Sequence, residues 1–161
     1  MKSNLTIITY HYVRDFRSTK YPNIKGLDLE LFRDQISYLK DNYNLITIDQ
    51  LINSHYNQDL LPLNPALLTF DDGYVDHYEF VFPELLKQNI QGSFFPPARP
   101  IIENNILDVH KAQFIIACAK NEKHIVERLM ILMELNKEKY NLKSFDYYYE
   151  NFAKSNRWWS K

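Results

Sequence analysis

Between Pro65 and Gly73 the chain runs Ala66-Leu67-Leu68-Thr69-Phe70 and then, without an intervening polar residue, Asp71-Asp72. A run this short and apolar, bounded by Pro62 and Pro65, reads as a strand buried on both faces. Burial on both faces is what helices packed over a parallel sheet produce. The next segment, Val75 to Asn89, has the spacing of a helix with Tyr78, Val81, Phe82, Leu85 and Leu86 turned inward and Pro83 opening a fresh turn. The local order is therefore strand, acidic turn, helix. In open or barrel-shaped α/β folds ligands and catalytic groups collect at the C-terminal ends of strands, which places Asp71 and Asp72 at the edge of a candidate site.

The same alternation extends to either side. Leu5 to Val13 suits a first strand that carries Tyr10-His11-Tyr12, and a polar loop leads on to Gly26. From Asp28, a plausible N-cap, Phe32, Ile36, Leu39 and Tyr43 fall on one helical face. Leu45 to Ile48 is a short strand, and Thr47 with Gln50 has capping-box spacing for a helix reaching about His55. Gly92-Ser93-Phe94-Phe95 is another brief strand, stopped by Pro96 and Pro97. After it come helical patterns over Val109 to Lys120, Glu122 to Asn136 and Ser144 to Lys154. Strands alternating with helices imply an α/β fold with right-handed crossovers, and 161 residues at 45% hydrophobic composition suit one domain, with a βα core over 1–100 and a helical segment over 101–161. About four strands leave sheet edges open, so the chain is expected to be part of a larger fold.

Several function classes drop out. A formal net charge of −1, with Lys and Arg interspersed among Asp and Glu, builds no basic stripe for nucleic acid. Apolar stretches are too short to cross a bilayer, and the N-terminus lacks a signal h-region. With one cysteine, Cys118, disulfides are excluded, the side chain is expected to be small and buried among its apolar neighbours, and a cytoplasmic location follows as the expectation. The 12 Tyr and 10 Phe are read as composition rather than as a ligand signal, and Trp158 and Trp159 as unfinished core or a frayed end. Oligomeric state is left open.

Two neighbouring carboxylates repel, which favours protonating one unless a cation neutralises them. A divalent metal resolves the conflict, since one Asp can bind the ion while the other takes a proton from the water that the ion acidifies. Catalytic zinc commonly takes three protein ligands and keeps one position open.

In this context Thr69-Phe70-Asp71-Asp72-Gly73 resembles, at every position, the first motif of the polysaccharide deacetylase family, the NodB-homology or carbohydrate esterase family four domain. The resemblance runs from about Leu5 to Pro97, with Ile101 to Lys154 looking like a helical insertion. It implies a partial, deformed (β/α) barrel of the NodB-homology type with a helical C-terminal segment. Asp71 would be the catalytic base and Asp72 a ligand of a divalent ion, typically zinc. The substrate would be an acetylated carbohydrate losing N- or O-linked acetyl groups, with hydrolysis of a carbon–nitrogen non-peptide bond in the N-linked case. Tyr10, His11 and Tyr74 are the candidate substrate-binding residues.

The chain also departs from the family. The His-x-x-x-His segment, the Arg-x-x-Tyr type motif and the later general-acid histidine have no counterpart among His11, His55, His77, His110 and His124. His77 is expected at the solvated surface, and His55, His110 and His124 are expected to be ordinary. Part of the active site is therefore expected to be missing. Two other readings stand beside this one: a non-catalytic fragment or remnant that binds sugar or a partner, and a haloacid-dehalogenase-like phosphatase, whose Asp-x-Asp spacing adjacent aspartates do not meet. A glycosyltransferase is weaker still, because Gly73 runs straight into a helix.

Overall fold

The computed structural model describes residues 4–153 and places the acidic turn at the end of the central strand of a parallel sheet. In chain order the elements are β1 (Thr6–Tyr10), β2 (Val13–Arg14), β3 (Leu27–Asp28), α1 (Leu29–Asn42), β4 (Asn44–Ile46), α2 (Ile48–Asn57) and β5 (Pro65–Asp71). A π-helical turn (His77–Val81) then leads into α3 (Phe82–Lys87), β6 (Ser93–Phe95), α4 (Ala98–Glu103) and α5 (Asp108–Cys118). Three further helices, α6 (Glu122–Leu135), α7 (Lys137–Tyr140) and α8 (Phe145–Phe152), complete the described chain. The chain divides into two compact units at Ala117 and Cys118, so α4 and nearly all of α5 belong with the sheet.

Local chemistry explains the helix starts. The Asp28 carboxylate accepts from the Glu30 amide at 2.9 Å, and Thr47 and Gln50 form the reciprocal capping box at the head of α2. Thr47 is taken up as the N-cap and Ile48 starts the helix, which ends β4 at Ile46, two residues before the strand expected from sequence.

β5 is buried along most of its length because it is paired on both edges. β1 lies along one edge, Thr6 to Tyr10 against Ala66 to Phe70. The other edge is shared by β4, against Pro65 to Leu67, and β6, against Thr69 to Asp71, all in parallel. Tyr10, Phe70 and Phe94 are register partners on three adjacent strands and stack, with centroids 5.2 and 4.8 Å apart. Phe32 of α1 meets Tyr10 edge-on at 5.2 Å, and Ile36, Leu68, Val81 and Leu85 fill in around them. Each such buried side chain contributes about 1.5–3 kcal/mol of transfer free energy. On the opposite face, Ile7, Thr9 and Phe95 are exposed. Among the described residues the sheet is thus open, mixed α/β, and does not close into a barrel.

Three expectations are corrected. The π-helical turn adds a residue to the helical repeat before α3, so the phase shifts: Val81 and Leu85 are buried, but Tyr78, Phe82 and Leu86 face outward. The first strand is broken at His11 and Tyr12 into β1 and β2. Cys118 is exposed, because it lies at the very end of α5. Lys154 and the two tryptophans lie outside the described residues.

Arg33 of α1 donates to Glu84 of α3 at 2.6 Å, and Lys87 joins at 3.0 Å. The bond from Arg33 is the main cause that holds the Glu84 carboxyl below its ordinary range, against the opposing effect of burial. A folded value below the unfolded one means that the unfolded chain binds more protons in that window. The stabilisation is therefore complete above the unfolded value of about 4.3 and is lost as pH falls through the folded one. Urea midpoints measured from pH 6 downward are expected to fall less steeply in Glu84→Gln than in the wild type.

Candidate functional site

Asp71 is the last residue of β5 and pairs with Phe95. Strand alternation turns it to the side of Thr69, away from the aromatic row. Asp72 and Gly73 then take φ of 74° and 62° in succession. Asp tolerates the left-handed region better than most residues, and its appearance at a strand exit is a form of local strain that clusters at functional sites. Gly73 is required on two counts: its positive φ, and the 2.7 Å that would separate an added Cβ from Pro96 Cβ. The turn takes Asp72 out of the strand's alternation and gives it surroundings of its own.

Those surroundings are donors. Asp72 Oδ2 accepts from the Tyr74 hydroxyl at 2.8 Å and meets His11 Nδ1 at 3.1 Å and His110 Nε2 at 3.5 Å. Tyr74 Oη lies 2.9 Å from His110 Nε2. A carboxylate only accepts, so the single Tyr74 proton goes to Asp72 and Tyr74 oxygen accepts from His110 Nε2–H. His11 likewise presents Nδ1–H to Asp72, which leaves its Nε2 lone pair on an exposed ring. Burial pushes the Asp72 carboxyl up, but the bonds from Tyr74 and His11 and the charges of His11 and His110 outweigh it and hold the group below the ordinary carboxylate range. Burial and the bond to Asp72 push the Tyr74 hydroxyl far above its ordinary value.

The supporting layer is buried. His77 donates from Nε2 to the His11 carbonyl at 2.7 Å, which fixes where His11 leaves β1. Arg14 grips Asp76 with two bonds, of 2.9 and 3.0 Å, and ties β2 to the chain just past the acidic turn. Tyr12 stacks on Tyr74 with centroids 3.7 Å apart. A shallow hollow of about 220 Å³, lined by Gly73, Tyr74, His77, Tyr78, Phe94 and Pro96 among others, adjoins the turn.

Of the residues expected at the site, Asp72, His11 and Tyr74 are brought together, and Asp71 lies one residue before them. Tyr10 is a correction: it is buried between Phe32 and Phe70, its hydroxyl donates to Gln35 at 3.2 Å, and burial pushes that hydroxyl up to about 12. Its place on the strand puts it on the core face, one residue before the chain reaches the site. His77 is buried rather than solvated, and His110 is a member of the Asp72 network rather than an ordinary surface residue. A sequence signal existed for His110, since His110, Phe114 and Ala117 have the spacing of one helical stripe.

The acidic motif implies a divalent ion. Among the described residues no three His, Cys, Asp or Glu side chains converge on a point that could hold an ion. Carboxylate and imidazole are nevertheless the donor types zinc takes, and the 3.1 and 3.5 Å spacings about Asp72 Oδ2 match the ~3.3 Å between neighbouring donors on one tetrahedral ion with bonds of about 2.0–2.1 Å. Asp72 with an imidazole beside it therefore fits an ion as part of a site.

Comparison with known proteins follows the same line. No protein-family model matches the chain. The poly-beta-1,6-N-acetyl-D-glucosamine N-deacetylases of Escherichia coli strain K12 and Escherichia coli O157:H7 are each 33% identical to it over 79 residues, 48% of this chain and 12% of theirs. The similarity to these deacetylases thus extends over about half of this chain. Among solved structures, a de-N-acetylase from Aggregatibacter actinomycetemcomitans is similar at 28% identity and a TM-score of 0.50, covering 57% of this chain and 37% of that one. IcaB from Ammonifex degensii gives 28% identity and 0.50, covering 59% and 39%. The chain thus spans well under half the length of these relatives.

Removing the Tyr74 hydroxyl leaves His110 Nε2 buried without a partner and takes one donor from Asp72. Tyr74→Phe is expected to cost about 1–3 kcal/mol by urea unfolding, while Tyr78→Phe, exposed on the π-helical turn that follows, stays within about 0.5 kcal/mol.

Proposed function

We infer that this chain carries part of the active site of a metal-dependent carbohydrate deacetylase that hydrolyses acetyl groups, N-linked or O-linked, from a sugar. One observation carries the reading: a Thr-Phe-Asp-Asp-Gly strand exit in which the second aspartate is turned aside into a cluster of imidazole and hydroxyl groups, within a segment similar to polysaccharide deacetylases. On the face opposite the aromatic row the flanking strands leave Ile7, Thr9 and Phe95 exposed, which fits the inner wall of a partial, deformed barrel.

In this reading Asp71 takes the proton of the attacking water, for which it stands free of the Asp72 network at the mouth of the sheet. Asp72 is the metal-binding carboxylate, and zinc is the expected ion. When bound, the ion would lower the proton affinity of water and polarise the acetyl carbonyl. Tyr74 holds Asp72 in its rotamer, and His77 sets the His11 backbone. The exposed His11 ring, with Nδ1 engaged by Asp72, faces the substrate through Nε2, which is free to hydrogen-bond a sugar hydroxyl. The substrate class is an acetylated carbohydrate, and the E. coli relatives point to β-1,6-linked N-acetylglucosamine as the first to try.

The test is acetate release from short β-1,6-linked N-acetylglucosamine oligomers by the purified chain with zinc supplied. Slow release is expected, falling by about 10²-fold or more in Asp71→Asn, the range for a positioned base. No release from any acetylated oligomer, or release that Asp71→Asn leaves unchanged, would overturn the reading. Phosphate ester hydrolysis lost in the same variant would instead favour the phosphatase.

A further inference from the structure

We propose that α5 supplies metal-binding side chains to the Asp72 centre: His110 Nε2 and Asp72 Oδ2 bind one divalent cation together, with the Gln113 amide oxygen as a further donor. The proposal rests on the reading of Asp72 as a metal ligand and names the residues that stand in for the missing His-x-x-x-His segment.

His110 is buried, and its Nε2 lies 3.5 Å from Asp72 Oδ2. That is long for a hydrogen bond but ordinary for two donors on one ion. Its present partner is the Tyr74 hydroxyl, which is bonded to Asp72 as well. A neutral imidazole can move its proton to Nδ1 and free Nε2 as a ligand. Gln113 follows at i+3, the spacing that puts two helical side chains side by side. Its Oε1 is buried and has no hydrogen-bond partner, which a native fold rarely leaves without cause. An unspent oxygen acceptor one helical step from an imidazole, with a carboxylate 3.5 Å from that imidazole, offers the donor types a cation takes. Imidazole, carboxylate and amide oxygen form a borderline N/O set, which suits zinc, cobalt or manganese and has no thiolate to select soft ions. His11, 3.1 Å from the same carboxylate oxygen, is left free to face the substrate.

The experiment uses the full chain, stripped with a chelator and titrated with Co(II) by visible absorption and with Zn(II) by calorimetry. One equivalent is expected to bind in the wild type, with affinity reduced at least tenfold in both Asp72→Ala and His110→Ala and unchanged in His124→Ala. Circular dichroism reports whether His110→Ala has folded. Gln113→His, which leaves Asp72 and His110 in place, is expected to raise affinity about tenfold by replacing an amide oxygen with an imidazole. If His110→Ala folds and binds as the wild type does while Asp72→Ala loses binding, the role of α5 is refuted and that of Asp72 stands. If Asp72→Ala also binds normally, or the wild type takes up no ion, the metal reading of Asp72 falls with it. Gln113→His binding no better than the wild type would remove Gln113 from the donor set.

Discussion

Two carboxylates joined by one peptide bond repel, and a fold that places both at the mouth of a parallel sheet must give them different surroundings or protonate one of them. Here the backbone does the separating. Asp71 keeps the alternation of β5, while Asp72, in the left-handed region, is turned into the group formed by Tyr74, His11 and His110. The turn is held from below by Pro96 against Gly73 and from the side by Arg14 on Asp76. Burial alone would raise the Asp72 carboxyl, and the donors around it reverse the sign. The acid is thereby kept ionised, which is the state a cation or a protonated imidazole needs.

The height at which this turn emerges is set by the aromatic row. Tyr10, Phe70 and Phe94 stack across three strands in strict register, so a slip of β5 by one residue would move Phe70 out of the row and bring Asp71 onto the buried helical face. That slip carries both the loss of a large buried ring and the burial of a charge, and it is excluded on both grounds. The same row explains why Tyr10 is structural although its neighbour His11 belongs to the site. β1 ends at Tyr10, and His11, the first residue beyond it, is held at the site by the His77 bond to its carbonyl.

What was legible in the sequence was local. The capping groups at Asp28 and Thr47, the proline-bounded strand and the Asp-Asp-Gly exit each depend on residues within a few positions of one another, and each is found where expected. The inward face of the helix after the turn was misread at Tyr78, Phe82 and Leu86 because a π-helical turn, which no spacing rule anticipates, shifts its phase. His77 and His110 were passed over for a different reason. Their roles come from contacts across 66 and 36 residues, with the His11 carbonyl and the Tyr74 hydroxyl, and only the fold brings those groups together. The donor cluster thus draws on three separate stretches of chain, of which the motif marks one.

The buried polar atoms left without partners show where the structure has given up stability. Among the described residues these are Tyr12 Oη, His77 Nδ1 and Gln113 Oε1. None lies in the main core around Phe32, Ile36 and Phe70. Tyr12 is stacked on Tyr74, His77 carries the backbone of His11, and Gln113 sits one helical step from His110. Tyr12 and His77 thus touch members of the group that surrounds Asp72, and Gln113 shares a helical face with another of its members. Tyr12 and Tyr74 also carry their hydroxyls on rings stacked face to face, so the polar atoms of this region lie among the groups that hold Asp72. The unpaired polar groups thus gather on the side of the acidic turn, where the proposed deacetylase centre lies, and not in the apolar core that fixes the register of the sheet.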